Sequence, residues 1–196
     1  MIKNINFLFV TFFGIGTIRY APGTITSLIT TVFLFSLFHI FNISSIVILI
    51  VLLIVFICSF KGVAIYIKDK SKKDPKEIVI DEVIGQSIPI YLYEVAHRTN
   101  KDPKEIVIDE VIGQSIPIYL YEVAHGTVKE SQEAILFYIY IFILFRFFDI
   151  KKPFPVSYFD KKFKNSFGVI MDDVVAGFYV VLTLVIFIII KSKLFS

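Results

Sequence analysis

With 196 residues, 56% of them hydrophobic, 22 Phe, no Trp and a mean hydropathy of +0.78, the chain is too apolar to present a water-facing surface on all sides; soluble domains run at about 45–50% apolar with glycine counted in. A single cysteine, Cys58, excludes a disulfide framework and a thiolate metal site. The net charge of +3 matters less than its distribution, and no nucleic-acid partner is expected.

The N-terminal run INFLFVTFFGIGTI has one early Lys and no small-residue cleavage site behind it, so it is read as part of the mature protein, interfacial or half-buried. TSLITTVFLFSLFHIF (Thr26 to Phe41) and SIVILIVLLIVFICSF (Ser45 to Phe60) follow as spans. AILFYIYIFILFRFF (Ala134 to Phe148) and VVAGFYVVLTLVIFIII (Val174 to Ile190) complete the set. The second and fourth reach, with their flanks, the roughly 20 residues that a spanning helix needs. The expected fold is all-α: one domain over 1–196, a multi-span helical membrane protein with a polar catalytic cluster at the cytoplasmic membrane face.

Between the second and third of these stretches a segment occurs twice. Lys73 to Asn100 and Lys101 to Val128 match at 26 of 28 positions, differing only at Arg98/Gly126 and Asn100/Val128. Solenoids need at least about three diverged units to bury a core, so the pair reads as an in-frame tandem duplication. Each copy has an apolar run, VIGQSIPIYLYEVA, broken by Gln and Pro and short for a span. Both copies cannot cross a bilayer without inverting everything downstream. The second copy, joined to the next span by the short link HGTVKESQE, is preferred as the working one.

Charge gathers at the ends of these stretches. Lys61, Lys68, Lys70, Lys72, Lys73 and Lys76 form one basic cluster, and Arg146, Lys151, Lys152, Lys161, Lys162 and Lys164 another. The positive-inside rule places both in the cytoplasm and the link NISS outside, with Lys191 and Lys193 weighing against that orientation. Acidic residues stand beside the basic ones: Asp81-Glu82 and Asp109-Glu110 in the two copies, Asp149 three positions after Arg146, and Asp172-Asp173 before the last span. Carboxylates at a membrane edge are costly unless solvated, paired or bound to a cation. Taken singly, each reads as a solvated helix-end charge. Taken together, hard oxygen donors suit Mg²⁺ while Arg and Lys suit a phosphate, the pattern of metal-assisted phosphoryl chemistry on a lipid-borne substrate. No Ser-His-Asp arrangement emerges: His39 lies in a span, and His97 and His125 close the two copies, so each reads as structural.

Four blocks, APGTITS (21–27), IVIDEVIG (78–85 and 106–113), RFFDIKKPFP (146–155) and GVIMDDVVAG (168–177), stand in an order that resembles the phosphatidylglycerophosphatase A family. Thr26 departs from the pattern, which usually has a second Gly there. The resemblance implies a mostly helical, Mg²⁺-dependent phosphatase of the cell inner membrane that converts phosphatidylglycerophosphate to phosphatidylglycerol. On the matching positions it implies Asp149, Asp172, Asp173 and one Asp-Glu pair (Asp109 and Glu110, or Asp81 and Glu82) as Mg²⁺ ligands. It implies Arg146 and Lys152 as phosphate holders and Pro22, Gly23 and Thr24 as a turn facing the phosphate, with a plain helix start as the equal alternative for those three. Attack by water is preferred over a covalent intermediate. A CDP-alcohol phosphotransferase would show an Asp-Gly-x-x-Ala-Arg block, which is absent, and a transporter would carry its carboxylates in mid-span. A folded protein inactivated by the duplication is the remaining alternative.

Overall fold

The computed structural model describes residues 2–68, 75–99, 130–163 and 165–195. The second copy, with Asp109 and Glu110, lies outside them. Among the described residues the elements are helical: α1 (Ile2–Val10), a 3₁₀ turn (Ile15–Thr17), α2 (Pro22–Phe35) running on through a π segment (Ser36–Ile40), α3 (Ser45–Ile67), α4 (Ile80–Thr99), α5 (Glu130–Lys151), α6 (Val156–Lys162) and α7 (Ser166–Phe195).

Three stretches are long and apolar enough to cross a membrane: Pro22–Ile40, Ser45–Ile67 and Ser166–Phe187. They agree with three of the four expected spans in place but not in bounds; Ala134 to Phe148, the remaining one, lies in α5 and is not among them. The last helix begins at Ser166 rather than near Val174, because the Asn165 Oδ1 accepts from the Gly168 N–H at 3.1 Å and caps its first turn. Asp172 and Asp173 therefore lie inside a span, two turns from its start. Along α3, Val47, Ile50, Ile54 and Ile57 are all more than half exposed, a surface that a bilayer accommodates and water does not. In α5 the apolar pattern runs to Phe145, and Arg146, Asp149 and Lys151 follow in the last turns.

α4, taken from the first copy, is the helix the others enclose, with contacts to α2, α3, α5 and α7. Ile84, Gln86, Ile90, Tyr91 and Glu94 along it are all buried. It lies against α7 at backbone distance, since a Cβ on Gly177 would come within 2.5 Å of the Gly85 carbonyl oxygen. A Cβ on Gly85 would meet the Asp173 carbonyl oxygen at 2.6 Å and the Phe145 ring at 2.7 Å. α2 and α4 run in the same direction: Gly23 meets Glu82 at one end, and His39 Nε2 lies 2.8 Å from Glu94 Oε1 at the other. The Tyr138 hydroxyl donates to the same Glu94 oxygen at 3.0 Å, so this carboxylate, 1% exposed, is held from two neighbouring helices. His39 is thus a structural partner far from the acidic pairs.

The α4–α7 spacing yields a direct test. Gly177→Ala forces a methyl carbon against a backbone oxygen that has no rotamer to escape through, and overpacking of this kind costs about 1–3 kcal/mol. The thermal midpoint in detergent should fall accordingly; an unchanged midpoint would show slack between the two helices.

Candidate active site

Asp81 and Glu82 open α4, Asp173 projects from α7, and one carboxylate oxygen of each lies within 4.8 Å of the others. Asp149, near the end of α5, comes within hydrogen-bonding reach of Asp173. Facing them is the start of α2. Ala21 has a left-handed backbone, Pro22 occupies the first helical turn, where its missing N–H is no loss, and the helix proceeds from there. Pro22, Gly23 and Thr24 are therefore the first turn of α2 rather than a free turn. Gly23 is what lets the acidic pair approach: a Cβ there would lie 1.9 Å from Glu82 Oε1 and 3.4 Å from Arg146 Nη1. Thr26, the departure from the family pattern, is buried inside the helix, its hydroxyl without a hydrogen-bond partner.

The basic groups are held by acids one layer further out. Arg146 Nη1 is 2.8 Å from Asp149 Oδ2, one helical turn along, and 3.5 Å from Ser27 Oγ on α2. Pro153 disfavours helical backbone in the residue before it, and Lys152 leaves α5 with a positive φ of 44°. That turn folds its ammonium back onto Asp172 at 2.6 Å and Asp160 of α6 at 2.9 Å. Burial works against the Lys152 charge, but Asp172 and then Asp160 more than offset it and hold its pKa above the ordinary lysine value.

These groups line one cavity of about 450 Å³, together with Arg19, Lys76 and Thr24. Asp81 and Glu82 stand in the first turn of α4, outside the three spans. Burial, followed by the charges of Glu82 and Asp173, pushes the Asp81 carboxyl well above the ordinary carboxylate range. Burial likewise raises Glu82 from 4.5 to about 7, with Asp149 adding to the rise and Arg146 opposing it. A carboxyl whose folded pKa exceeds its unfolded one binds more protons when folded, so its ionisation destabilises the fold as pH rises. Stability in chelator should therefore fall as pH rises from 4.5 to about 7 through Glu82, with Asp81 adding to the fall. Glu82→Gln should make that slope shallower in thermal melts; an unchanged slope in the variant would assign it elsewhere.

Of the residues singled out in the sequence, the structure brings together Pro22, Gly23, Thr24, Asp81, Glu82, Arg146, Asp149, Lys152, Asp172 and Asp173 around this cavity. It describes the first copy there, whereas the sequence preference went to the second, whose Asp109 and Glu110 are not among the described residues. Asp172 differs from its neighbour in facing Lys152. Asp160, Ser27, Arg19 and Lys76 were not anticipated. The i,i+3 spacing that exposed Arg146–Asp149 has no counterpart for partners 8 or 119 residues apart.

The pattern of Phosphatidylglycerophosphatase A matches residues 8–99 and 92–188. The Phosphatidylglycerophosphatase A of Haemophilus influenzae is 61% identical over 41 residues, 21% of this chain and 25% of that protein, so the aligned part spans a quarter of the relative's length. A Putative phosphatidylinositol-3-phosphatase of Bacteroides thetaiotaomicron is 27% identical over 169 residues, 85% of this chain and 83% of that protein. No solved structure matches. One copy of the repeat falls in each matched segment and the two segments together run from 8 to 188, so the chain belongs to the phosphatidylglycerophosphatase A family.

Proposed function

We propose that the cavity binds the terminal phosphate of phosphatidylglycerophosphate and hydrolyses it to phosphatidylglycerol. The protein would act in the cell inner membrane, with the cavity facing the cytoplasm. The observation that carries this reading is the meeting of three carboxylates with Arg146 and Lys152 in one cavity at the end of membrane-spanning helices. Lys61 and Lys76 near the same end support the orientation, and both relatives carry the names of phosphatases.

The donor set fits Mg²⁺. Asp81, Glu82 and Asp173 offer oxygen atoms only, and Glu82 Oε2 is buried with no hydrogen-bond partner, as a cation ligand would be. These three residues would hold the ion, with Asp149 beside them; bound there, it would supply positive charge against the phosphate. The chain's own groups do the rest. Arg146, fixed by Asp149, presents its remaining N–H groups to phosphate oxygens, and a planar fork suits that geometry. Lys152, fixed by Asp172 and Asp160, adds a second cation as charge builds on the leaving group. Among the described residues the cavity wall holds neither His nor Cys, and water is taken as the nucleophile in preference to one of the lining aspartates. Water attacks phosphorus, the bond from phosphorus to the glycerol oxygen breaks, and inorganic phosphate and the alcohol leave.

Asp173→Asn keeps the volume and removes the charge, so turnover on phosphatidylglycerophosphate should drop on the order of 10²-fold or more. Excess chelator should do the same to the native protein, and phosphate release from detergent-purified protein measures both. Full activity in either case would overturn the assignment. We take the first copy, the one described in the bundle, as the working one. Asp81→Asn with Glu82→Gln should abolish turnover, and Asp109→Asn with Glu110→Gln should leave most of it. The reverse result would pass the site to the second copy.

A further inference from the structure

A second cavity, of about 490 Å³, shares the first turns of α4 with the polar one: Ile80 and Val83 line it, while Asp81 and Glu82 line the other. Its walls are otherwise almost wholly apolar, with Phe33 and Leu37 from α2 and Leu52 and Val55 from α3. At its rim Phe33, Val47 and Val51 are each more than half exposed. All three belong to membrane-spanning helices, so the mouth opens sideways between α2 and α3, where the hydrocarbon of a bilayer lies. Two polar side chains, Thr30 and Ser87, break the lining. Thr30 is 2% exposed, and its hydroxyl has no hydrogen-bond partner among the described residues. The neighbouring Thr31 and Ser87 hydroxyls instead donate to carbonyls one turn back in their own helices, the usual resting place for a helical hydroxyl.

We propose that this groove takes one acyl chain of the phospholipid whose phosphate occupies the polar cavity, with the Thr30 hydroxyl donating to the ester carbonyl at the head of that chain. The inference rests on the phosphatase reading and adds to it where the lipid's acyl chain is held. Three observations select the occupant. The groove opens where acyl chains are the surrounding medium. It adjoins a cavity whose Arg19, Lys76, Arg146 and Lys152 complement an anionic head group. Thr30 lies seven residues beyond Gly23 on the same face of α2, about 10.5 Å deeper at 1.5 Å per residue, a separation on the scale of a head group between terminal phosphate and ester. Moving a chain from lipid into such a groove brings no hydrophobic gain, because the chain leaves one apolar medium for another. The groove acts by orientation: it fixes the depth and direction of the head group, and so the position of phosphorus against the carboxylates.

The test compares three variants on three substrates in detergent micelles: long-chain phosphatidylglycerophosphate, its ether-linked analogue, and glycerol 3-phosphate. Leu52→Trp fills the groove; Ile54→Trp, on the outward face of α3, makes a similar change outside it. Leu52→Trp should lower kcat/KM on both lipids by on the order of tenfold to a hundredfold and leave glycerol 3-phosphate unchanged, while Ile54→Trp should leave all three unchanged. Thr30→Val should cost about fivefold on the ester lipid only, the worth of one hydrogen bond. Equal losses on lipid and soluble substrate, or none on either, would overturn the proposal. A second readout needs no turnover. A lipid phosphate with a photoactivatable acyl chain should label Phe33, Leu52 or Val55 in the native protein and in Ile54→Trp, with labelling lost in Leu52→Trp. If the native protein hydrolyses none of the substrates, the phosphatase reading fails, and the labelling pattern still decides whether the groove holds a chain.

Discussion

Everything at the polar end of this bundle depends on how closely α4 can be approached. Three carboxylates within 4.8 Å inside an apolar assembly repel one another and have lost much of their hydration, and charges in that state persist only if compensating groups come equally close. Three glycines provide the room. Gly23 lets α2 come up against Glu82 and Arg146, and Gly85 and Gly177 let α4 and α7 meet at backbone distance, which carries Asp173 to Asp81. With ordinary side chains at these positions the helices would stand further apart, and the oxygens could no longer converge on a common centre.

The cations are arranged to the same end. Arg146 and Lys152 each reach the cavity already bound to an acid, Asp149 in one case and Asp172 with Asp160 in the other. Neither is a loose point charge. A flexible lysine on the rim would have to be ordered at the moment of binding, whereas these are ordered beforehand. The left-handed backbone at Lys152 belongs to this arrangement, since a helical continuation would send the side chain away from Asp172.

Much of this was legible in the chain itself, for reasons that differ by feature. Long apolar runs can be read because a bilayer demands them, so three of the four expected spans correspond to membrane-long helices, though not in their bounds: the cap at Asn165 is a single side-chain contact that hydropathy does not register. Arg146 and Asp149 were paired by helical spacing. The acidic pairs stood out because charge is rare in such surroundings. Asp160 and Ser27 were not found, since ordinary residues acquire a role there only through contacts between distant segments. The groove was equally hidden, because a lining Phe and a packing Phe look alike until the helices are placed. As for the two copies, 26 identical positions in 28 leave the sequence only the short link after the second to choose by.

The shared direction of α2 and α4 has an electrical consequence. Both helices begin at the polar cavity, with Pro22 to Thr24 and Asp81 to Glu82 in their first turns on its wall, and α7 starts from the same end. The peptide dipoles of a helix sum to about half a positive charge at its start. Two such starts meet at the cavity wall, with the start of α7 about two turns from its carboxylates. The cavity therefore has a fixed positive bias that requires no side chain to ionise. That bias eases the burial of the carboxylates when the cavity is empty of anions, and it remains in place to attract a phosphate when one arrives at the membrane surface.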